Sequence, residues 1–284
     1  MSASSSSLFV SAAWLAERLN TDDITLIDAR MLPVGATNRD VTAEYRAEHI
    51  PGAVFFDIEA LSDSNTSLPH MMPTPDVFAQ AMARLGISER QQLVIYDSGN
   101  LFSAPRAWWM LKTFGAKHIV ILSGGLAEWK HQGYPLEQGD VTRPSVTFNA
   151  VLDASVIRHR DDVLAICRDR SEQIIDARSA PRYLGDVDEP RPGLHRGHIP
   201  GSLNVPWDAL VANGAMKPNA ELATILHKAG VEFGRPIVAS CGSGVTAAVI
   251  VLALTLLDVP NVSLYDGSWS EWGSRDDVPI AVGV

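Results

Sequence analysis

Short apolar runs rich in β-branched residues alternate with segments of helical periodicity along the whole chain. The apolar runs predict strands, and the periodic segments predict helices. Continuous apolar strands separated by helices are typical of α/β domains in which a parallel sheet is covered by helices on both faces. The strands are expected at 24–27, 93–96, 118–122, 173–175, 236–240 and 262–264, and the helices at 11–19, 75–85, 104–114, 219–229 and 245–257.

Four motifs occur twice in the chain, in the same order. The Asp-Ala-Arg segment at 28–30 returns at 176–178, and the His-Ile-Pro-Gly segment at 49–52 returns at 198–201. Such steady repetition indicates that one domain of about 130 residues was duplicated. The other two pairs are 93–97 with 237–241 and 125–129 with 268–272, so that the offsets of all four pairs lie between 143 and 149 residues.

We therefore expect two tandem domains joined by a linker. A chain of 284 residues has the length of two ordinary domains. Turn formers and charged residues replace the periodic apolar positions around 138–145, which places the seam there. The expected boundaries are 1–136 for the N-terminal domain, 137–152 for the linker and 153–284 for the C-terminal domain.

The composition excludes several classes of function. Hydrophobic residues make up 46% of the chain and charged residues 20%, as in ordinary globular proteins. The net charge is −10, so the chain lacks the excess of basic residues typical of proteins that bind nucleic acids or that bind membranes through a polybasic surface. Residues 1–7 lack the pattern of a signal peptide, and the longest apolar run, 247–257, is too short to span a bilayer. We expect a cytoplasmic protein with no nucleic-acid or membrane partner.

The two cysteines, Cys167 and Cys241, are too few for a disulfide framework. No segment has the Cys-x2-Cys spacing of a zinc site, so we expect a reduced chain without a metal. Cys167 lies on an apolar helical stretch and has no loop of small residues beside it. We interpret Cys167 as structural.

Cys241 stands where a predicted strand gives way to a predicted helix. The small-residue loop that follows contains Gly242 and Gly244, which let successive backbone N–H groups converge on the sulfur. The helix N-terminus adds partial positive charge, and both features favour the thiolate. Cys241 is therefore the candidate nucleophile, and the alternative is a cysteine that only packs in the core.

The loop at 242–246 contains no cationic side chain. Its backbone donors can stabilise a compact monoanion such as a persulfide, but they offer little to a dianion such as phosphate or thiosulfate. A phosphatase of the Cys-x5-Arg type needs a guanidinium where this chain has Ala247. The sequence therefore disfavours phosphate chemistry.

The paired Asp-Ala-Arg and His-Ile-Pro-Gly segments and the Cys-Gly-Ser-Gly-Val-Thr loop at 241–246 resemble the two-domain rhodanese-family sulfurtransferases. The resemblance covers nearly the whole chain, residues 8–280, and implies two tandem rhodanese-like domains of the α/β class. It implies that Cys241 takes sulfane sulfur from a 2-oxo thiol donor, mercaptopyruvate, with release of pyruvate. The persulfide then passes its sulfur to cyanide or to a thiol acceptor such as thioredoxin or a small thiol. No metal or organic cofactor is implied.

The resemblance also assigns roles to individual residues. Arg182 and Arg191 stand at the family's substrate-binding positions, and bidentate arginine suits a carboxylate. A proton relay is implied for Ser243, His70 and an acid of the first domain, which is either Glu59 or Asp63. The predicted substrate-binding set is Arg182, Arg191, Gly242, Ser243, Gly244, Val245 and Thr246.

The first half has Asp97 where the second half has Cys241, so we expect one site per chain and a first domain that walls the cleft. Arg106 and Lys112 on the helix at 104–114 could reach this cleft, but the two tryptophans of that helix favour packing, and we leave it out of the catalytic set. Residues retained in both halves are interpreted as structural, because only one half keeps the nucleophile. They are Asp28, Arg30, His49, Asp176, Arg178 and His198.

Three functions stay open on the sequence alone. The first is sulfur transfer from mercaptopyruvate, which the neutral loop at 242–246 favours. The second is sulfur transfer from thiosulfate, which uses the same nucleophile but is usually served by basic residues at the positions of Gly242 and Ser243. The third is a non-catalytic rhodanese-like module that binds a partner.

Overall fold

The structure, a computed structural model, describes residues 8–19, 21, 23–36 and 38–283. Residues 1–7, which belong to the expected N-terminal domain, lie outside the described residues. Within the described ranges the chain forms two parallel sheets of five strands each, and helices pack against them. The prediction of two α/β domains is confirmed. None of the helices in these ranges combines the length and the apolar character needed to cross a bilayer.

The first sheet has the strand order β1-β5-β4-β2-β3. The N-terminal helix α1 is capped by the Ser11 side chain, and α3 is capped by Thr74 with a proline in its first turn. The strands are β1 (Phe9–Val10), β2 (Ile24–Asp28), β3 (Val54–Phe55), β4 (Gln92–Tyr96) and β5 (Ile119–Leu122), and the helices are α1 (Ala12–Ala16), α2 (Val41–Ala47), α3 (Pro75–Arg84), α4 (Ala104–Thr113) and α5 (Gly125–His131).

The second sheet repeats this order as β6-β12-β11-β7-β8, and an antiparallel pair, β9 and β10, forms a separate small sheet in the same domain. Short 3-10 helices lie at Ala154–Val156 and Trp207–Leu210. The strands are β6 (Ile157–Arg158), β7 (Gln173–Asp176), β8 (Leu203–Asn204), β9 (Val211–Ala212), β10 (Ala215–Met216), β11 (Ile237–Ser240) and β12 (Val262–Tyr265), and the helices are α6 (Arg160–Asp169), α7 (Ala180–Leu184), α8 (Asn219–Lys228), α9 (Ala247–Leu256) and α10 (Ser268–Trp272).

Helices α4 and α9 pack against each other across the domain junction. Helix α9 is buried on all sides from Ala247 to Leu254, which explains its almost uniformly apolar sequence. It begins at Ala247, two residues later than the periodicity predicts, so that 242–246 stay a loop. The loops that precede α4 and α9 both line one cavity between the domains.

The segment between α5 and the 3-10 helix at Ala154–Val156 packs on the first domain. Glu137 and His49 exchange backbone hydrogen bonds, and Phe148 meets the ring of Phe78 edge-on with centroids 5.5 Å apart. Val151 donates its backbone N–H to the carbonyl of Phe114 at 3.1 Å. These contacts attach the expected linker to the first core, while the boundaries 137 and 152 stay a prediction.

Candidate active site

Cys241 lies at the base of a cavity between the two domains. It is the first residue after β11, and 2% of its surface is exposed. The cavity has a volume of about 310 Å³ and is lined by residues 31–34, His70 and Phe102 of the first domain and by the Cys241 loop of the second. This position agrees with the rule that sites in parallel α/β sheets form beyond the carboxyl ends of the strands.

The backbone around Cys241 is fixed against α10. The Cys241 N–H donates to the Ser268 hydroxyl at 3.1 Å, and the Trp269 N–H donates to the Cys241 carbonyl at 3.0 Å. The Gly242 carbonyl accepts from both the backbone N–H and the hydroxyl of Ser270, at 2.8 and 2.7 Å. The carbonyls of the loop entrance therefore point at α10, and the cysteine side chain is held at the cavity.

The backbone N–H groups of 242–246 donate no hydrogen bond to any other group among the described residues. Gly242, Ser243, Val245 and Thr246 line the cavity, whereas Gly244 does not. Buried N–H groups without acceptors are costly, and successive N–H groups in such a turn form an anion-binding concavity. The loop is therefore suited to hold a sulfur anion on Cys241.

The first domain shows the same kind of loop with an anion in place. Asp97, the counterpart of Cys241 in the repeat, accepts four backbone hydrogen bonds with its carboxylate. They come from Gly99 at 2.9 Å, Leu101 at 3.3 Å, and Ser103 and Ala104 at 3.1 Å each. The inactive half thus carries its own negative charge in the cradle, while the cradle of Cys241 keeps its donors free.

His70 joins the two domains in a chain of hydrogen bonds. Its Nε2 lies 2.7 Å from Glu59 Oε1, and its Nδ1 lies 2.8 Å from Ser243 Oγ. A carboxylate only accepts, so Nε2 donates to Glu59. Nδ1 also lies 3.3 Å from the Ser243 carbonyl oxygen, and in the neutral ring it accepts the hydroxyl proton of Ser243. The hydrogen bond from His70 lowers the pKa of Glu59. The acid of the predicted relay is therefore Glu59, because Asp63 bonds to Asn65 instead.

Arg191 lines the cavity without an ion pair or hydrogen bond to any other described residue. Burial lowers the pKa of its guanidinium, while the charges of Glu59 and Cys241 act in the opposite direction. A half-buried cation without a bonded counter-ion has its donor fork available to a ligand. Arg191 is the side chain best placed to take a substrate carboxylate.

Arg182 also lines the cavity, but its charge is shared. Its guanidinium donates to both carboxylate oxygens of Glu189, and Glu189 in turn accepts from the buried Arg178 at 2.8 Å. A side-chain carbon added to Gly242 would lie 3.0 Å from Arg182 Nη2, so the guanidinium lies directly over the cysteine loop. Glu189 orients Arg182 and reduces its net charge.

The residues shared by both halves form matching frameworks. Arg30 bonds to Asp28, and Arg178 bonds to Asp176 in the same geometry. The repeated histidines behave alike, because His49 Nδ1 and His198 Nδ1 each lie 2.8 Å from a tyrosine carbonyl, that of Tyr45 and that of Tyr183. These pairs have the geometry expected of structural residues, with one addition: Arg178 also lines the cavity and anchors Glu189.

The helix left out of the predicted set contributes Arg106 to the site's surroundings. The side chain is fully buried and forms an ion pair of 2.8 Å with Asp266 of the second domain. The signal that could have marked it is an arginine in the first turn of a helix whose next five residues, 107–111, are all apolar. Cys167 is half-buried on α6, where burial raises the pKa of its thiol, as expected of a packing residue.

The duplicated parallel fold and the cysteine loop facing an arginine-lined cavity define a tandem-domain α/β protein with one cysteine-centred site. Two segments, residues 11–132 and 159–275, match the family model for the rhodanese-like domain. The chain belongs to the family of rhodanese-like proteins.

Sulfurtransferases are among the proteins that resemble this chain over nearly its whole length. It is 55% identical to 3-mercaptopyruvate sulfurtransferase of Escherichia coli strain K12, over 97% of this chain and 98% of the relative. It is 40% identical to 3-mercaptopyruvate sulfurtransferase of Rattus norvegicus, over 94% of this chain and 92% of the relative. The crystal structure of SseA from Escherichia coli, a 3-mercaptopyruvate sulfotransferase, superposes with a TM-score of 0.87 at 53% identity, covering 93% of this chain and 99% of that one. The chain is thus an enzyme of the sulfurtransferase group.

Proposed function

We propose that this chain transfers sulfane sulfur from 3-mercaptopyruvate to a thiol or to cyanide through a persulfide on Cys241. The observation that carries the proposal is the content of one cavity. It joins a cysteine whose loop has free backbone donors to Arg191, a guanidinium with no bonded partner among the described residues. Such a cavity fits a donor that has a sulfur at one end and a carboxylate at the other.

In the first half-reaction the Cys241 thiolate attacks the sulfur of mercaptopyruvate. The new S–S bond forms as the C–S bond breaks, and the electron pair of that bond leaves with carbon as the enolate of pyruvate. The proton of the donor's S–H moves to the enolate, which becomes pyruvate and leaves the persulfide as its anion. Arg191 and Arg182 hold the carboxylate and the oxo group during this step, which is where preorganised positive charge lowers the barrier.

The sulfur left on Cys241 is stabilised by the loop at 242–246. Two of the donors bound by Asp97, the N–H groups of Gly99 and Leu101, have Ser243 and Val245 as their counterparts after Cys241, and both of these residues line the cavity. The persulfide anion supplies the acceptor that these donors lack in the free enzyme. The loop therefore stabilises the persulfide anion on Cys241 until an acceptor arrives.

In the second half-reaction the acceptor thiolate attacks the outer sulfur of the persulfide. The S–S bond to Cys241 breaks, the Cys241 thiolate is the leaving group, and the acceptor departs as its own persulfide. Cyanide reacts in the same way and departs as thiocyanate. The enzyme returns to its starting state without any redox cofactor, because the two electrons lost by the donor's thiol sulfur stay on the carbon that becomes the methyl group of pyruvate, and the sulfane sulfur then moves between nucleophiles.

The Ser243–His70–Glu59 chain moves protons near the loop in this scheme. Ser243 lines the cavity, and its hydroxyl is connected through His70 to a carboxylate of lowered pKa. A positioned acid or base of this kind typically contributes a rate factor of about 10² to 10⁴. We assign the relay to the proton that the donor's S–H gives up: the Ser243 hydroxyl, which donates to His70 Nδ1, takes up this proton and passes it to the departing enolate.

Thiosulfate is the donor that best separates this proposal from the nearest alternative. It carries two negative charges at its reacting end, and the loop beside Cys241 supplies backbone donors without a side-chain cation. We expect kcat/KM for mercaptopyruvate to exceed that for thiosulfate clearly. Equal or higher kcat/KM for thiosulfate contradicts the assignment of donor while leaving Cys241 as carrier.

Cys241→Ser tests the carrier step itself, and Cys167→Ser is its matched control. With mercaptopyruvate and cyanide, we expect thiocyanate formation to vanish in Cys241→Ser and to stay at the wild-type rate in Cys167→Ser. If the wild-type chain also forms no persulfide and no thiocyanate, the chain is a binding module rather than an enzyme.

We further propose a thiol acceptor in a reducing compartment such as the cytoplasm. Both cysteines are free, and Cys241 works only as a thiolate. The acceptor is a small thiol or a protein dithiol such as thioredoxin. Pyruvate release in the presence of each acceptor, with mercaptopyruvate as donor, ranks the candidates.

A further inference from the structure

Arg106 makes polar contacts with both halves of the site, although it does not line the cavity. Its side chain is fully buried on α4 of the first domain. Nη2 donates to the His70 carbonyl and, at 2.8 Å, to Asp266 Oδ1, while Nη1 donates to the Gly244 carbonyl at 3.3 Å. One guanidinium therefore contacts the histidine of the relay and the cysteine loop at the same time.

Asp266 fixes the same histidine segment from the second domain. Its Oδ2 accepts the backbone N–H of Met72 at 2.7 Å, so that Arg106 and Asp266 together hold residues 70–72. His70 has a left-handed backbone with φ of 61°, which is unfavourable for a residue with a side chain and persists only under such constraint. Arg106 and Asp266 thus hold the backbone from which the His70 ring extends, while Glu59 and Ser243 bond to the ring itself.

The cysteine loop lies tightly against the same pair. Gly244 has φ of +78°, and a side-chain carbon added there would lie 2.9 Å from the Asp266 carbonyl and 3.1 Å from Arg106 Nη1. Arg106 Nε has no hydrogen-bond partner among the described residues. All the polar contacts that the guanidinium makes are therefore directed through its Nη atoms, toward the domain junction and the relay.

We propose that Arg106 is a positioning residue that holds His70 at hydrogen-bond distance from Ser243. This inference rests on the proposed function for its main readout. Because Arg106 is outside the cavity, it acts on the rate of sulfur transfer and leaves the binding of mercaptopyruvate nearly unchanged. Lysine at this position keeps the charge for Asp266 but has one nitrogen, which cannot serve three acceptors in a fixed fork.

The test is a double-mutant cycle in single-turnover pyruvate release. It compares wild type, Arg106→Lys, Ser243→Ala and the double variant at saturating mercaptopyruvate. If Arg106 acts through the relay, Arg106→Lys lowers the rate about tenfold in the wild-type background, since a small displacement of a reacting group is costly. In the Ser243→Ala background the same substitution then lowers the rate by less than about threefold.

Two further variants separate positioning from folding. Asp266→Asn keeps the size of the side chain but replaces one of its two acceptor oxygens with a donor, so one of the bonds to Arg106 and Met72 is lost. It should show the same loss of effect when combined with Ser243→Ala. Arg158→Lys is the matched control. Arg158 lies on the edge strand β6 and forms a partly buried ion pair of 2.9 Å with Glu172. We expect Arg158→Lys to leave the rate at the wild-type value.

The positioning role is overturned if Arg106→Lys lowers the rate of pyruvate release by the same factor in the wild-type and Ser243→Ala backgrounds. It is also overturned if Arg106→Lys keeps the wild-type rate. A rise in KM with unchanged kcat also overturns it, since that result means that Arg106 serves binding. If the wild-type chain releases no pyruvate, the proposed function fails, and the same cycle is measured as the rate at which iodoacetamide alkylates Cys241. That reaction needs no sulfur donor, so coupling between Arg106 and Ser243 there supports the positioning role on its own.

Discussion

The sharpest prediction concerns the two arginines of the cavity, which the structure places in different electrostatic surroundings. Arg191 has no bonded counter-ion among the described residues, whereas Arg182 already shares its charge with Glu189. A substrate carboxylate therefore gains a full ion pair from Arg191 and a weakened one from Arg182. We predict that Arg191→Met damages the reaction with mercaptopyruvate more than Arg182→Met does.

The size of the effect follows from the charge that is lost. A hydrogen bond to a charged group contributes about 1.5 to 3 kcal/mol, and about 1.4 kcal/mol corresponds to a factor of ten. Arg191→Met should therefore lower kcat/KM about 10-fold to 100-fold. Because Glu189 competes for the fork of Arg182, that variant should lose about tenfold or less. Arg196→Met is the control, since Arg196 is exposed and paired with Asp188 in the same segment.

Alkylation of Cys241 supplies a second assay that needs no sulfur donor. Iodoacetate carries a carboxylate and iodoacetamide does not, so the ratio of their rates reports how strongly the cavity attracts a carboxylate. Arg191→Met should lower this ratio by about the same factor as kcat/KM. The ratio isolates the carboxylate, because both reagents react with the same thiolate, whose charge also interacts with Arg191. A larger loss in Arg182→Met, or an unchanged ratio in Arg191→Met, refutes the assignment of the carboxylate to Arg191.

Three further predictions follow from the loop and the relay. Gly244→Ala should abolish transfer and lower the free energy of unfolding by about 1 to 3 kcal/mol, because alanine is strained at φ of +78° and its side chain meets the Asp266 carbonyl; wild-type activity in this variant would contradict the tight loop. Cys241→Asp should be inactive yet at least as stable to urea as Cys241→Ser, since its carboxylate can accept the backbone N–H groups of the loop as Asp97 does in the first domain. A clearly lower stability of Cys241→Asp counts against an anion site. The lowered pKa of Glu59 means that its carboxylate stabilises the fold above its unfolded pKa of about 4.3, and this contribution is lost as the pH falls through the lower folded value. The free energy of unfolding in urea should therefore differ between Glu59→Gln and wild type at pH 7, and the two values should converge toward pH 3. A difference that stays constant with pH would assign the effect to packing.

The fold was largely predictable, because the central strands of each sheet are apolar runs that stand between helical segments in the sequence. Every strand expected from those runs forms within one residue of its predicted ends. The short strands β1, β3, β6 and β8 have two residues each, too few for a period to show, and they exist because a neighbouring strand supplies their partners. The late start of α9 at Ala247 also lies outside what periodicity can resolve, since 245 and 246 fit an apolar helix face equally well.

The site was predictable where its chemistry is local. Cys241 and its loop follow one another in sequence, and the structure brings Arg182, Arg191 and His70 to the same cavity. The choice of Glu59 over Asp63 depended on which side chain reaches across a loop, and no spacing rule decides that. Arg106 was considered and left out for a similar reason, because its partner Asp266 lies 160 positions away and meets it only after the domains pack.

The most direct measurement is mass spectrometry of the Cys241 peptide after wild-type protein is mixed with mercaptopyruvate and no acceptor. The account predicts that this peptide gains one sulfur atom while one pyruvate is released per chain, that the peptide with Cys167 stays unmodified, and that cyanide removes the added sulfur. Pyruvate released without sulfur on Cys241, or sulfur found on Cys167 instead, would contradict a carrier cysteine held in an amide cradle.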